Sequence, residues 1–192
     1  MKLVLTQEYF ISEITSNDKK NLIKYLNQPE ISDNTLAIPF PYTESDADFW
    51  INHVIEETKK IGKPINFAIR NSNCELIGGI GFNFIIPDHK AELGYWLTKE
   101  YWGRGIMTKA VIKICEYGFL KFNLVRVQAT VFHFNERSET VLKKAGFAFE
   151  GVLKNYYLKN GKIFDGFMYS KIGFSSPYQW QDLFTLKSNC IK

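Results

Sequence analysis

The chain has 192 residues, 45% of them hydrophobic and 16% aromatic, which is enough to bury one core in a single domain. Its formal charge of +4 favours anionic ligands but falls short of the concentrated basic face of a nucleic-acid-binding protein, so we expect no specific nucleic-acid partner. The three cysteines, Cys74, Cys115 and Cys190, are odd in number and widely spaced, which argues against a disulfide framework or a zinc site and favours the cytoplasm.

The sequence shows no targeting or membrane-spanning pattern. Residues 1–8 become polar too early for a secretory signal. Apolar runs elsewhere fall short of the roughly 20 residues that a spanning helix needs. We therefore expect a soluble protein without a membrane partner.

The first third of the chain predicts one strand and two helices. Alternation of apolar and polar residues indicates a strand over Tyr9 to Ile14, and a helical pattern follows and stops near Pro29. A loop rich in proline and aromatic residues comes next. Thr43, with Asp46 three residues later, is typical of the N-cap of a second helix, which runs to about Ile61.

Strands dominate the middle of the chain. The pattern predicts an antiparallel meander of three strands, Ile65 to Arg70, Leu76 to Ile86 and Ala91 to Leu97. A helix from Gly105 to about Phe122 and a strand from Val125 to Val131 follow. Because such a crossover makes its two strands parallel, we expect ligands at the carboxyl end of the first.

The last part of the chain predicts a helix and a hairpin. The helix runs from Asn135 to Ala145, and the glycine after it is a suitable C-terminal residue. The strands Phe147 to Leu158 and Ile163 to Ile172 then join at a turn formed by Asn160 and Gly161. The elements in sum indicate an α/β domain with a mixed sheet.

The segment after Leu97 has two glycines in its turn, Gly103 and Gly105. Such a turn lets successive backbone N–H groups converge, and the start of a helix adds partial positive charge, so the segment suits a pyrophosphate. Arg104 adds a full charge nearby. The same residues also fit a purely structural turn. The spacing is neither that of a Walker loop nor that of a full dinucleotide fingerprint, because Thr108 stands where the third glycine would be.

Four segments in order carry a resemblance to one enzyme family. They are Glu92 to Leu97, Tyr101 to Met107, Asn135 to Ser138, and Lys144 to Phe147 followed by Glu150 and Gly151. With them the chain resembles the GNAT superfamily of N-acetyltransferases. It is most similar to the branch that acetylates the N-terminal alanine or serine of ribosomal proteins, and the similarity covers residues 9–172.

The resemblance implies a GNAT fold, with a twisted mixed central sheet, flanking helices, and fourth and fifth strands that splay apart. These two strands would be Ala91 to Leu97 and Val125 to Val131. The pantetheine arm of acetyl-CoA would lie in the gap between them, against the main chain of Trp96, Leu97 and Thr98. The pyrophosphate would bind the loop formed by Trp102, Gly103, Arg104, Gly105, Ile106 and Met107.

The resemblance also assigns roles on the next helix. Asn135 would bind the pantetheine, and Ser138 would bind it as well and protonate the departing thiolate. Both residues also fit an ordinary helix start, since Asn is a favoured N-cap and Ser is common in first turns. Lys143 and Lys144 would meet the terminal phosphates, and a solvated helix face is the alternative for at least one of them.

Direct acetyl transfer requires a neutral amine and a group that removes its proton. Glu92 is the candidate base, because alternation places it on the strand face shared with Gly94 and Trp96. The alternative is a solvated glutamate on a strand. In the ribosomal-protein branch a glutamate after Gly-Phe has been proposed as the base, but Tyr156 and Tyr157 stand near that place here, so the assignment does not transfer.

Three further features bear on the site. Glu100 stands where many members of the superfamily have Gln or Arg, and its negative charge is expected to weaken cofactor binding. A covalent cysteine route is disfavoured, because Cys74 and Cys115 have no histidine nearby in the sequence. His133 follows a strand close to Asn135 and could line the cleft, but a structural or surface role is the expectation for it.

We therefore expect an enzyme that transfers acetyl from acetyl-CoA directly to a primary amine of a protein or peptide N-terminus, without a metal. The alternatives are acetylation of a polyamine, amino acid or aminoglycoside, and a non-catalytic acyl-CoA sensor. The loops Ile31 to Tyr42 and Asn155 to Gly161 would select the acceptor. The domain would span residues 1–174, followed by a C-terminal tail of residues 175–192. The aromatic part of the tail, Tyr178 to Phe184, would contribute apolar surface to a possible homodimer.

Overall fold

The computed structural model describes residues 1–173, which form one open sheet of eight strands with helices on both faces. The strands are β1 (Lys2–Val4), β2 (Phe10–Glu13), β3 (Asn66–Arg70), β4 (Leu76–Ile86), β5 (Lys90–Leu97), β6 (Arg126–Phe132), β7 (Ala148–Lys159) and β8 (Lys162–Ile172). The helices are α1 (Lys19–Leu26), α2 (Pro29–Asp33), α3 (Glu44–Ile61), α4 (Ile106–Phe122) and α5 (Glu136–Lys144). The tail 175–192, and with it the predicted domain boundary and the tail's share in a dimer, lies outside the described residues.

The strands lie in the order β1-β2-β3-β4-β5-β6-β8-β7, and all neighbours are antiparallel except β5 and β6. The mixed sheet and its meander are therefore confirmed. Within residues 1–173, no helix combines the length and the apolar character needed to cross a lipid bilayer. Nor does this part of the chain bring three potential metal ligands together.

One strand was missed, and the numbering of the splayed pair was therefore wrong. The three residues Lys2–Val4 pair with β2, so the predicted fourth and fifth strands are the fifth and sixth of the sheet. A strand this short is too brief for alternation to show. The predicted end of the first helix near Pro29 is confirmed, since α1 ends at Leu26. Pro29 then occupies the first turn of the short α2, which was not predicted, as its fixed φ and missing N–H permit.

The parallel pair β5 and β6 is joined only at its start. Lys90, Ala91 and Glu92 pair with residues 126–128, after which the two strands have no further paired residues in the described chain. From there β5 continues along β4, and β6 continues along β8 to its end. The predicted splay is thus confirmed, and it opens directly after Glu92.

Two hydrophobic clusters cover the two faces of the sheet. Ala91, Leu93 and Leu97 of β5 belong to the cluster that contains the buried side of α4. The cluster on the other face contains buried residues of α1 and α3, and Trp96, at the end of β5, packs against both clusters. Because side chains alternate along a strand, Glu92 and Gly94 face the α1 and α3 side together with Trp96. The predicted division of β5 into two faces agrees with these contacts.

Local signals explain the ends of several elements. Thr43 Oγ1 accepts a hydrogen bond from the Asp46 N–H at 3.3 Å, and the Asp46 carboxylate accepts the Thr43 N–H at 2.8 Å, which completes the predicted capping box of α3. Asn160 and Gly161, both with positive φ (50° and 73°), close the hairpin between β7 and β8. A two-residue turn of this kind matches the twist of the strands.

A buried ion pair connects the first segments to the sheet. The Arg70 guanidinium donates to both carboxylate oxygens of Asp18, at 2.6 and 2.8 Å, and also to Ser12 Oγ and the Glu13 carbonyl. Asp18 is 3% exposed and Arg70 is 8% exposed. Since neither charge can be solvated by water there, each depends on the other.

Replacing Arg70 with methionine should therefore destabilise the fold strongly. The change leaves the Asp18 carboxylate buried without its partner, and we expect a loss of about 3–5 kcal/mol in the free energy of unfolding, measured by urea denaturation. Lys113→Met removes the exposed ion pair with Glu116 and serves as the control, with little expected change. Equal unfolding curves for the two variants would contradict the assignment.

Candidate active site

A cleft of about 1480 Å³ occupies the gap between β5 and β6 and extends onto both faces of the sheet. Its walls come from the start of α4, the start of α5, the outer side of α3, the segment after α2 and the hairpin of β7 and β8. Most sequence-predicted site residues line it: Glu92, Trp96, Leu97, Trp102, Gly103, Gly105, Ile106, Met107, Asn135 and Ser138. Thr98 and Arg104 do not belong to this lining.

The loop before α4 has the geometry of an anion site. Gly103 and Gly105 have φ of +76° and +72°, and a Cβ on either would meet no described atom within 4 Å, so glycine is favoured there by backbone conformation alone. Gly105 precedes α4, and no side chain of residues 1–173 caps the helix. Its first N–H groups therefore remain available to a ligand in the cleft, where the helix dipole adds positive potential.

Trp102 closes this loop onto the end of β5. Its indole Nε1 donates to the Leu97 carbonyl at 2.6 Å. The Thr98 N–H instead bonds to the Ile77 carbonyl in the direction of β4, at 3.0 Å. Successive residues of a strand direct their N–H and C=O groups to opposite sides. Because the Thr98 N–H is directed towards β4, the N–H and C=O of Leu97 are directed into the gap between β5 and β6. The gap-facing edge of β5 is thus the place where an extended ligand arm can add main-chain hydrogen bonds.

The Arg104 side chain is directed away from the cleft, whereas from the sequence its positive charge was expected to lie beside the pyrophosphate. Its guanidinium donates to the Glu100 carbonyl at 2.9 Å and lies 5.1 Å from the ring centre of Tyr101. It lines a separate hollow beside residues 5–9. A residue between two glycines of positive φ can direct its side chain to either side, and the sequence did not determine which.

Arg137 supplies the positive charge that sequence reasoning missed. Its guanidinium carbon lies 4.7 Å from the ring centre of Trp102, and the residue lines the cleft beside the pyrophosphate loop. Lys144 also lines the cleft, whereas Lys143 forms an ion pair with Glu139 at 2.9 Å. Only the three-dimensional approach of α5 to the loop reveals Arg137 as a candidate, since its sequence position is that of an ordinary solvated helix residue.

The buried Thr98 side chain belongs to a polar cluster behind the loop. Its hydroxyl donates to Gln28 Oε1 at 3.2 Å and to the Glu100 carboxylate. The Thr98 hydrogen bond lowers the pKa of Glu100, which therefore stays ionised. Since Gln28 Nε2 also donates to this carboxylate at 3.2 Å, the negative charge is held among donors outside the cleft. The expectation that Glu100 weakens cofactor binding is not supported by this placement.

Asn135 and Ser138 combine structural contacts with positions in the cleft. Asn135 Oδ1 accepts the Ser138 N–H at 3.1 Å, which is the N-cap bond of α5. The Ser138 hydroxyl lies 2.8 Å from the Tyr95 hydroxyl. Burial raises the pKa of Tyr95, so its hydroxyl remains protonated and can exchange a hydrogen bond with Ser138. The contact with Tyr95 joins residues 43 positions apart and was not predicted.

Glu92 lies at the point where β5 and β6 part, and Thr130 Oγ1 donates to its Oε1 at 3.3 Å. Next to it, Gly94 makes room for Asn83, because a Cβ on Gly94 would come within 2.5 Å of Asn83 Nδ2. Tyr157 lines the same region, and burial raises its pKa to about 12. The Glu92 carboxylate therefore accepts a hydrogen bond from a neutral hydroxyl and lies in the part of the cleft that Asn83 and Tyr157 also line.

Two other residues considered from the sequence, Cys115 and His133, do not line the cleft. Burial raises the pKa of the Cys115 thiol to about 12, which makes it a poor nucleophile at neutral pH. His133 is exposed and packs beside aromatic residues of β8, with Nδ1 3.4 Å from the Asp165 carbonyl. The geometry agrees with the expectation against a cysteine route and for a structural histidine.

Residues 9–148 match the protein family described as "Acetyltransferase (GNAT) domain". The chain belongs to the GNAT acetyltransferase family. It is accordingly an N-acetyltransferase that uses acetyl-CoA, as the resemblance of its motifs implied. The match covers the loop before α4, both splayed strands and α5. Family membership favours an enzyme over the non-catalytic acyl-CoA sensor considered above.

Three similar proteins place the chain within this family. An uncharacterised N-acetyltransferase, p20, from Bacillus licheniformis is 30% identical over 172 residues, which are 88% of this chain and 96% of that protein. L-amino acid N-acetyltransferase AaaT from Escherichia coli K12 is 25% identical, over 86% of this chain and 98% of that protein. The structure of ribosomal-protein-S5-alanine acetyltransferase from Vibrio fischeri is 27% identical with a TM-score of 0.80, covering 91% and 98% of the two chains.

A carboxylate at Gly103 should block the anion site. Gly103→Asp combines the cost of a positive φ with a negative charge at the start of α4, and we expect at least about tenfold weaker acetyl-CoA binding by calorimetric titration. Gly62→Asp is the matched control, because Gly62 has φ +75° with similar open space but lies at the end of α3. If both folded variants bound like the wild type, the loop would not be the pyrophosphate site.

Arg137 and Arg104 should differ in their effect on acetyl-CoA affinity. Arg137→Gln removes a charge from the cleft, and we expect about three- to tenfold weaker binding, with the difference from wild type shrinking at high salt. Arg104→Gln, whose side chain is directed to the other hollow, should stay within about twofold of wild type on the same scale. The opposite order of affinities would restore the original assignment of Arg104.

Proposed function

We propose that this N-acetyltransferase acts on the free amino group of a protein or peptide N-terminus, by direct transfer from acetyl-CoA. The observation that carries the proposal is the position of Glu92, which lies at the start of the gap between β5 and β6 beside Thr130. The similarity to the ribosomal-protein-S5-alanine acetyltransferase over nearly the whole chain supports an N-terminal acceptor.

The residues of the cleft fit the chemical groups of acetyl-CoA. The uncapped start of α4 suits the pyrophosphate, and Arg137 and Lys144 provide charges for further phosphates. The gap-facing main chain of β5 suits the amide groups of the pantetheine arm. Asn135, the N-cap of α5, and Ser138 in its first turn also line the cleft. These groups leave the thioester end directed towards the region of Glu92.

Acetyl-CoA supplies an activated acyl group, in which the bond between the carbonyl carbon and sulfur breaks as the bond to the amine nitrogen forms. Glu92 would accept the proton that the amine loses, and the Thr130 hydroxyl would orient its carboxylate. Ser138 Oγ would donate its proton to the departing sulfur while the Tyr95 hydroxyl, 2.8 Å away, stays protonated and donates a hydrogen bond to Ser138 Oγ. Solvent would then return a proton to Ser138 and take up the proton held by Glu92. The base and the acid would thus act from opposite sides of β5.

The acceptor side of the cleft has groups that suit an extended peptide end. Its walls combine aromatic surface from Trp50 and Tyr157 with the side-chain amides of Asn66 and Asn83. Amide side chains can bond to peptide groups, and aromatic faces can pack against small side chains. A free amino acid is the second candidate acceptor, because AaaT resembles the chain over almost its whole length.

An acceptor panel tests the proposal directly. The panel contains hexapeptides that begin with Ala or Ser, the same peptides with a blocked N-terminus, free amino acids, polyamines and an aminoglycoside. We expect free CoA thiol to be released fastest with the unblocked peptides, and mass spectrometry to find the acetyl group on the N-terminal nitrogen. Turnover confined to amino acids or polyamines would replace the peptide proposal by the small-amine alternative.

The same assay tests Glu92. Glu92→Gln keeps the size of the side chain and an acceptor oxygen for Thr130, but it removes the basic carboxylate, so we expect kcat to fall about 100-fold. The affinity for acetyl-CoA should remain that of the wild type. Glu116→Gln on the outer side of α4 is the control for loss of one carboxylate. A kcat that is unchanged in Glu92→Gln would leave proton removal to water or another group.

A further inference from the structure

A short segment crosses the cleft from one splayed strand to the other. We call residues 28–38 the strap; it consists of Gln28, α2 and the residues that follow α2. The N-terminal end of the strap is attached to the residues that directly follow β5. Gln28 Oε1 accepts the Lys99 N–H and the Thr98 hydroxyl, both at 3.2 Å, and Glu30 forms an ion pair with Lys99.

The far end of the strap is attached on the side of β6. Lys159, the last residue of β7, donates from Nζ to the carbonyls of Ser32 and Thr35, the latter at 2.6 Å. Asn135 Nδ2 also reaches the strap, at 3.4 Å from the Asn34 carbonyl. These contacts join residues 101 to 127 positions apart in the chain, so they link two separate parts of the fold.

The two attachments make the strap a wall of the acceptor region. Because β5 and β6 have separated at this level, a segment held both behind β5 and at the hairpin beyond β6 must span the opening between them. The strap residues 34–38 line the cleft together with Tyr157 of the hairpin and Trp50 of α3. An acceptor that approaches Glu92 is therefore bounded by the strap on one side.

Lys159 is the charged group that holds this wall. Its ammonium is partly buried, lies 5.8 Å from the Phe132 ring centre, and donates to main-chain carbonyls at the end of α2, where the helix dipole is negative. Burial lowers the pKa of Lys159, and the nearby Asp33 opposes this shift. The strands of the hairpin are already paired with each other, so their fold does not depend on Lys159.

We propose that Lys159 is a positioning residue for acceptor selection: it docks the strap onto the hairpin, and the closed wall admits only a slender chain end that carries the amine. The inference rests on the proposed acetyl transfer for its consequence in catalysis. The docking itself is independent of that function. A mid-chain lysine, which approaches with polypeptide on both sides, would meet the strap, whereas an N-terminus would pass it.

The test compares Lys159→Met, which keeps the apolar stem without the donor, with Lys159→Arg, which restores a cationic donor. Lys154→Met is the matched control, since Lys154 lies on the same strand but pairs with Asp165. Hydrogen exchange of the strap peptides is read by mass spectrometry. We expect the exchange rate of the strap to be about tenfold higher in Lys159→Met, because the hydrogen bonds from a charged group are lost. The rate in Lys154→Met should equal that of the wild type. Lys159→Arg should return exchange most of the way to wild type.

Kinetics then test selection with two probes, an Ala-initiated hexapeptide and a blocked hexapeptide whose sole amine is a mid-chain lysine. In Lys159→Met we expect KM for the first probe to rise about tenfold and the relative rate with the second probe to rise several-fold. The affinity for acetyl-CoA should stay within about twofold of wild type. A general loss of stability would instead affect cofactor binding as well.

The outcomes separate the two proposals. Strap exchange in Lys159→Met that equals wild type would overturn the docking role, whatever the activity of the enzyme. Faster exchange with unchanged acceptor KM and unchanged preference would overturn the role in selection. If the wild type acetylates none of the panel amines, the proposed acceptor is wrong, and the exchange result still decides whether Lys159 holds the strap.

Discussion

The loss of pairing between β5 and β6 after Glu92 is the constraint on which the site depends. Each strand keeps its other neighbour, so the sheet remains continuous while one edge of β5 is left exposed. The unpaired N–H and C=O groups along this edge of β5 are free to form hydrogen bonds with a ligand. An extended ligand with amide groups can pair with them as a strand would. The same separation brings the start of α4 and the start of α5 to the two sides of one gap.

Local signals in the sequence predicted most of the fold. The capping box of Thr43 and Asp46, the turn at Asn160 and Gly161 and the long apolar face of α4 each involve residues close in sequence, and the structure confirms all three. The short β1 has too few residues to show a period. The insertion of β8 between β6 and β7 depends on pairing between distant strands, which single-sequence patterns do not encode.

The site was predictable where it depends on the backbone and less so where it depends on side-chain direction. Gly103 and Gly105 mark the proposed anion loop because few other residues adopt their φ angles. The positive charge beside that loop comes from Arg137 rather than Arg104, because the orientation of α5 decides which guanidinium faces the cleft. The contacts of Tyr95 with Ser138 and of Lys159 with the strap join residues far apart in sequence, and only the packing of the whole domain creates them.

Asn135 connects the two halves of the cleft through one side chain. Its oxygen caps α5 and so fixes the first turn that carries Arg137 and Ser138, while its nitrogen reaches the strap at Asn34. The proposed cofactor half is therefore built on a helix and a strand edge, whereas the proposed acceptor half is bounded by a strap attached through hydrogen bonds and one ion pair. Sequence changes in the strap can alter the acceptor wall and leave the anion loop and the Ser138 hydroxyl in place. This separation explains how one fold can keep its donor while its relatives differ in the amine that they acetylate.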